Sequence, residues 1–205
     1  MGSFIADLLK QEPTPLEEVR RSLKDLSERG ASFIYMLTKH HDYLEESISV
    51  IMDKESTQEE KQFNLDRFFR LVEMHGKAEE ETLYAELRYH TDPEVRLEGY
   101  SGQDEHDLAF QLEAELLDMN YRMQWSDEIA AKAKVAVSLV RNHIKEEEDV
   151  MFPLAEKFID EGRLETLSFD YVEKCQTYLA ESEATSRSHP VKRQPVVENF
   201  MAPFF

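Results

Sequence analysis

An all-α fold, an up-down antiparallel four-helix bundle with extra helical segments at its N- and C-terminal sides, is predicted by three features of the sequence. Apolar residues recur at three- and four-residue steps through most of the 205 residues, and the alternation that marks strands is missing. Helix breakers are rare: between Leu16 and His189 the only prolines are Pro93 and Pro153, and the whole chain holds six glycines. Long helical stretches joined by short connections form bundles whose neighbours run antiparallel.

Phe4 to Lys10 is a short amphipathic piece set off by Pro13 and Pro15, and Leu16 to Glu28 reads as a helix leading to a break or bend at Gly30. The first long helix carries Ile34, Leu37, Leu44, Ile48 and Ile51 on one stripe, with His41 in the place of a missing member. The second starts at a capping box, Thr57-Gln-Glu-Glu, and runs to about Tyr89 with Leu65, Phe68, Val72, His75, Glu79, Leu83 and Leu87 in line. The third opens at Asp92-Pro93, is open to interruption at Gly99 and Gly102, and continues to about Gln124 with His106, Phe110, Glu113 and Leu117 on its seam. The fourth begins at a Ser126 or Asp127 cap and reads Ile129, Ala133, Ala136, Val140, His143, Glu147, Val150, Leu154, Phe158. Pro153 should kink or end it, because it removes the hydrogen bond to the Asp149 carbonyl. Arg163 to Ala180 forms one more helix, with Leu164, Leu167, Tyr171, Cys175 and Tyr178 on one side. The chain thus divides into an N-terminal helical extension (1–29), the four-helix bundle (30–160), an additional C-terminal helix (161–183) and a C-terminal tail (184–205). That tail is expected to pack on the bundle or to contact a protein partner, another copy included, through Phe204 and Phe205.

Forty-three acidic against 24 basic residues give a net charge of −19, which excludes nucleic acid as a partner, since binding there rests on cationic neutralisation of phosphates. No apolar run approaches the ~20 residues that span a bilayer, and the start, Met1-Gly-Ser-Phe-Ile-Ala-Asp, lacks the basic segment of a secretory signal. A soluble, cytoplasmic protein without membrane contact is expected. The single cysteine, Cys175, excludes a disulfide framework and any thiolate-based zinc or iron–sulfur site within one chain.

Each bundle helix places one histidine on its apolar stripe: His41, His75, His106 and His143. Two of them carry a glutamate four residues on, Glu79 and Glu147, and no Lys or Arg stands at a matching position. A carboxylate in a core without a partner costs several kcal/mol or takes up a proton, so buried charges are usually paired or metal-bound. The i, i+4 spacing sets both groups on one face about 5.4 Å apart, so that the histidine can hold one ion while the glutamate reaches between two. A dinuclear centre fits. Of the twelve positions of two octahedral ions, four imidazoles, two bridging carboxylates and a bridging solvent oxygen fill all but two. Imidazole and carboxylate without thiolate suit iron or manganese. Open positions on a redox-capable pair imply reaction with a small diatomic or a peroxide. Ferritin-like bundles use Glu-x-x-His instead, which this pattern is not.

Other polar residues read differently. His40 lies about 100° around the helix from His41 and should face solvent or a neighbouring loop, and His90 and His189 read as surface residues. Glu80 and Glu148 belong to solvated faces, with a supporting hydrogen-bond role to the site as the alternative. Glu45, four after His41, and Glu113, seven after His106, are reserve ligands or proton relays. Gly76, inside a helix next to His75, points to close packing. No residue is assigned a catalytic role.

Four segments resemble the hemerythrin-like, or HHE cation-binding, family: His41 with Leu44 and Ile48, His75-Gly-Lys-Ala-Glu79-Glu80, Glu105-His106 with Leu108, and His143-Ile-Lys-Glu-Glu147-Glu148-Asp-Val-Met-Phe152-Pro153. The resemblance runs from about Phe33 to Phe158. It implies a non-haem centre of two iron ions bridged by Glu79, Glu147 and an oxo or hydroxo group, with the four histidines as terminal ligands; manganese or a mixed-metal pair is compatible with the same set. Oxygen-carrying hemerythrins have a further histidine where this chain has Phe110, so redox reactivity is implied rather than reversible oxygen carriage. The ligand set is similar to that of bacterial di-iron proteins of nitrosative and oxidative stress. Their relatives that repair iron–sulfur clusters have a cysteine-containing N-terminal domain, whereas Met1 to Arg29 has no cysteine. Three readings follow: a redox protein acting on oxygen, nitric oxide or peroxide in stress defence; an oxygen- or iron-sensing module; and an iron-storage or iron-donating protein, cluster repair included.

Overall fold

The computed structural model describes residues 32–188 together with Arg20, Arg21 and Lys24, these three in helical conformation. The expectations for Phe4 to Lys10, most of Leu16 to Glu28, Gly30, His189 and Phe204-Phe205 lie outside the described residues. All regular structure among the described residues is helical: α1 (Phe33–Met52), α2 (Gln58–Glu80), α3 (Leu83–Arg88), α4 (Pro93–Asp118), α5 (Asp127–Glu146), a π turn (Glu147–Met151), α6 (Phe152–Phe158) and α7 (Glu161–Ser188).

Three of the long helices, α2, α4 and α5, start at side-chain caps. Thr57 Oγ1 accepts from the Glu60 amide at 3.2 Å while the Glu60 carboxylate accepts from the Thr57 amide at 2.7 Å, completing the capping box. Asp92 caps the Glu94 amide at 2.9 Å ahead of Pro93, and Ser126 caps the Ile129 amide at 3.2 Å.

α4 ends at Asp118, earlier than the expected Gln124, because Asn120 takes the left-handed conformation at φ 57°. The Tyr121 amide then bonds back to the Leu116 carbonyl and the Asn120 amide to Leu117, closing the helix with a Schellman motif. The second helix does not run unbroken to Tyr89. It stops at Glu81-Thr82, where the Thr82 backbone departs from helix (φ −119°, ψ −88°) and its hydroxyl donates to the Ala78 carbonyl at 2.6 Å. The short helix that follows turns Tyr84 into the core.

Pro153 does not end the helical run, which continues to Phe158; the chain forms a π turn ahead of it. A wider turn advances the buried stripe by four residues per step instead of three. Met151 and Ala155 are therefore fully buried, while Val150 and Phe158, expected on the seam, stand 38% exposed. On α4 the fully buried residue is Leu116, and Leu117 is 40% exposed.

α1 packs against α2, α5 and α7; α4 packs against α3, α5 and α2; and α7 lies along α2. α1 is therefore covered on two sides, and Phe33, Met36 and His40 are buried along with the expected Leu37, Leu44, Ile48 and Ile51. The core joins Phe33, Leu37, Leu65, Phe68 and Phe69 of α1 and α2 to Tyr121, Ile129 and Val137, with Leu167, Tyr171, Cys175 and Leu179 of α7 sealing its flank.

Gly99 and Gly102 do not interrupt α4; they let α3 come close. A Cβ on Gly99 would lie 2.9 Å from Leu87 Cβ, and one on Gly102 would lie 2.7 Å from Tyr84 Cζ. Alanine normally stabilises a helix interior by about 1 kcal/mol over glycine. At position 102 the sign should reverse: Gly102→Ala is expected to lower stability by about 1–3 kcal/mol through overpacking against the Tyr84 ring. Urea denaturation checks this, and a variant as stable as the parent or more so would put Tyr84 elsewhere.

Candidate metal centre

The site follows from four helices delivering one imidazole each to the same depth of the core. α1 brings His41, α2 brings His75 and Glu79, α4 brings His106, α5 brings His143, and the π turn begins at Glu147. All six are buried, and both carboxylates are fully so. His41 Nε2 lies 3.2 Å from His75 Nε2 and 3.1 Å from Glu147 Oε2, and His75 Nε2 lies 3.1 Å from Glu79 Oε2. On the other side His143 Nε2 is 3.4 Å from Glu147 Oε2 and His106 Nε2 is 3.9 Å from Glu79 Oε2. Two four-donor groups result, His41, His75, Glu79, Glu147 and Glu79, His106, His143, Glu147, with the donor atoms in each within 4.8 Å of one another. The two glutamates belong to both.

Every imidazole is held from behind through Nδ1. His41 Nδ1 meets Glu148 at 2.8 Å, His75 Nδ1 the Tyr171 hydroxyl at 2.7 Å, His106 Nδ1 Glu80 at 3.3 Å, and His143 Nδ1 Glu105 at 2.6 Å. A carboxylate at Nδ1 favours the tautomer with its proton there, which leaves an Nε2 lone pair facing the centre. Glu80 and Glu148 thus take the supporting role that was the alternative to a solvated face, and Glu105 joins them.

The inward side is short of protons. Both oxygens of Glu79 and Oε2 of Glu147 have no hydrogen-bond donor, an arrangement that is costly for buried carboxylates unless a cation meets them. Bonds of about 2.1 Å to one ion at right angles place neighbouring donors about 3.0 Å apart, close to most of the spacings above. The donor set fits metal ions.

Without metal the same crowding redistributes protons. Burial, and then the neighbouring Glu147, push the Glu79 carboxyl well above the usual range. Burial acts to raise Glu147 too, but His143, His41 and His75 together hold it well below. Burial acts to lower His41, yet Glu147 and Glu148 outweigh it and carry His41 up to about 9; His143 is likewise raised, against burial, by Glu147 and Glu105. Burial lowers His75 and His106. His41, His143 and Glu79 all bind protons more tightly folded than unfolded. Their contribution to the metal-free protein is complete below the unfolded values and is lost as pH rises through the folded ones. Metal-free protein is therefore expected to melt at progressively lower temperature between pH 7 and 9. Metal affinity should rise over the same interval, because fewer protons must be displaced. Thermal melts with and without metal across that window test both; a flat metal-free profile would contradict the placement of His41 between Glu147 and Glu148.

His40 corrects an expectation. It is fully buried rather than facing solvent or a loop, because α7 covers that side of α1, and its Nδ1 lies 2.5 Å from the Tyr171 hydroxyl. Burial, and then the charge of His41, press it down to about 3, so it is neutral. Neither reserve acid belongs to the donor groups. Glu45 forms a two-pronged ion pair with Arg141 at 2.8 Å, and Glu113 lines an outer cleft of about 420 Å³ with Phe110, Arg70 and Arg122. Gly76 abuts His106, whose ring would lie 3.1 Å from a Cβ there. His90 is half-buried, its ring 4.7 Å from that of Phe158.

Two tyrosines escaped the sequence reading as site residues. Tyr171 was legible as part of the buried face of α7, but not as the partner of His75. Tyr84 fell in a stretch read as continuous helix; its hydroxyl donates to Glu147 Oε1 and lies 3.1 Å from His143 Nε2. A cavity of about 10 Å³, large enough for roughly one water-sized molecule, abuts His75, His106 and His143 and is walled chiefly by Leu44, Val72, Ala109, Leu139, Val140 and Ile144.

The model of the hemerythrin HHE cation-binding domain matches residues 32–155. The chain belongs to this family. No match to it was found among curated proteins or among solved structures. The match makes this a hemerythrin-like metal-binding domain, with all six predicted residues inside the matched span. Tyr171, which supports the hemerythrin-like centre from α7, lies outside it. No helix among the described residues is long and apolar enough to cross a membrane.

Proposed function

We propose that the chain is a non-haem di-iron protein of the cytoplasm that reacts with oxygen, nitric oxide or peroxide in stress defence. The observation that carries this reading is the pair of donor groups sharing Glu79 and Glu147, three of whose four oxygens have no hydrogen-bond donor. In this reading His41 and His75 hold one iron, His106 and His143 hold the other, and the two glutamates and an oxo or hydroxo group bridge them. When bound, such a pair supplies two exchangeable electrons to a small oxidant; imidazole with carboxylate suits iron or manganese. The residues around it orient and exclude. Four Nδ1 contacts hold the imidazoles in place, and the apolar walls of the adjoining cavity favour a small uncharged molecule over an anion. Phe110, its ring 6.2 Å from that of His106, offers no nitrogen at the position where an oxygen carrier would have a further histidine.

Metal analysis joined to optical spectra of the anaerobically reduced protein, exposed in turn to oxygen, nitric oxide and peroxide, tests the proposal. About two irons per chain are expected, together with irreversible oxidation by oxygen or peroxide and no long-lived oxygenated state. Stoichiometric zinc from iron-replete cells would sink the iron assignment. Oxygen uptake reversed by simple deoxygenation over several cycles would replace the redox role with carriage. Sensing is the second reading, and it draws on one contact: Tyr171 links His75 to α7 and so offers a path from the centre to the C-terminal segment, where a protein partner could read it.

A further inference from the structure

The two halves of the centre are related by a repeated spacing. His75 is followed four residues on by Glu79 and five further by Tyr84; His143 is followed four on by Glu147 and five further by Phe152. In both halves the α-helix is broken just after the glutamate, at Glu81-Thr82 in one and by the π turn in the other. Each break swings the aromatic ring onto a histidine of another helix. Tyr84 stacks on His106 at 5.2 Å and 29°, and Phe152 stacks on His41 at 5.5 Å and 12°. The rings correspond, and what differs between them is a hydroxyl.

That hydroxyl lies among the donors of one half only. Tyr84 is fully buried, and its oxygen is 3.1 Å from His143 Nε2 and hydrogen-bonded to Glu147 Oε1, the bridging acid of the proposed centre. The separation from Nε2 matches the roughly 3.0 Å between neighbouring donors on one ion. Gly102 preserves the placement, since a Cβ there would lie 2.9 Å from the Tyr84 oxygen. On the other half, Phe152 presents carbon to the corresponding space beside His41.

We propose that Tyr84 is a phenolate ligand to the metal held by His106 and His143, so that the two metals are chemically unequal; this rests on the di-iron reading above. On metal uptake the phenol gives its proton to solvent and its oxygen exchanges the Glu147 hydrogen bond for the metal. The ion between His41 and His75 then keeps its open position, while Tyr84 closes one on its neighbour.

Ferric phenolate gives an intense visible charge-transfer band, and excitation within it enhances tyrosinate ring modes in Raman spectra, modes that imidazole, carboxylate or a bridging oxygen do not produce. The full chain loaded with ferric iron is expected to show both. Tyr84→Phe should lose them at unchanged iron content, and Tyr171→Phe, altered at a tyrosine that faces Nδ1 instead of the donors, should keep them per iron bound. Tyrosinate modes absent from the iron-loaded parent protein overturn the assignment without reference to any variant, as does a Tyr84→Phe spectrum equal to the parent's. Failure of the parent to take up iron overturns the di-iron reading and this inference with it, whereas iron uptake without tyrosinate modes leaves that reading standing and removes only the ligand role of Tyr84.

Discussion

Glu147→Ala is expected to empty both metal positions at once, bringing iron from about two per chain to well under one. The reason is that Glu147 belongs to both donor groups, whereas each histidine belongs to one. Loss of this carboxylate relieves the like-charge pressure on Glu79, but it strands more than it frees. His41 and His143 lose the buried counter-ion that raises them, and the Tyr84 hydroxyl loses its acceptor. Removing one partner from a buried charged pair costs about 3–5 kcal/mol, so the metal-free variant should also melt earlier than the metal-free parent. Glu148→Ala is the comparison. Glu148 touches His41 only through Nδ1 and is half-exposed, so its loss should weaken metal affinity by about 10–100-fold while leaving a centre that fills at high iron. Metal analysis after dialysis against graded chelator separates the two variants. Equal iron retention would mean that Glu147 does not bridge.

Ending the chain at Asp160 should have the largest effect on stability. α7 carries Leu167, Tyr171, Cys175 and Leu179 into the core, each almost fully buried. At about 1.5–3 kcal/mol per buried side chain their loss amounts to some 6 kcal/mol or more, comparable with the whole stability of a typical domain at about 5–15 kcal/mol. The truncation also leaves Nδ1 of His75 and Nδ1 of His40 without the Tyr171 hydroxyl, at the bottom of a newly opened apolar face of α1 and α2. Near-ultraviolet circular dichroism, size-exclusion chromatography and iron content are expected to report a loosely packed or aggregated protein with little metal. A monodisperse truncated bundle with full iron would show that the span matched by the family model is self-sufficient.

The convergence of the six side chains was legible because its signal is local. Four histidines interrupt apolar stripes, two glutamates sit one turn after two of them, and helical geometry alone places those pairs on one face. What surrounds the donors was not legible to the same degree. Glu105 precedes His106, yet it serves His143 from another helix, so nothing in its own neighbourhood marks it. The misplacement of His40 came from granting α1 a single buried stripe; the angle of about 100° from His41 is right, but α7 turns that second direction into core as well. Val150 and Phe158 left the seam because a π turn adds residues to one turn, and Pro153 announces a disturbance without saying which kind. Gly99 and Gly102 read as breakers in isolation, and only the approach of α3 reveals them as clearance.

Cys175 is the sole cysteine of the chain, and it is fully buried on the face of α7 that covers the core. A thiol in that position is a built-in clock for helix undocking. A small alkylating reagent can reach it only while α7 is lifted, so the labelling rate at fixed reagent measures how often the lid of the bundle opens, without any introduced probe. Burial pushes the thiol well above its ordinary range, which keeps the docked state unreactive and the background low. Comparing that rate in the metal-loaded and metal-free protein would tell whether occupation of the centre slows the breathing of a helix that donates no metal ligand of its own.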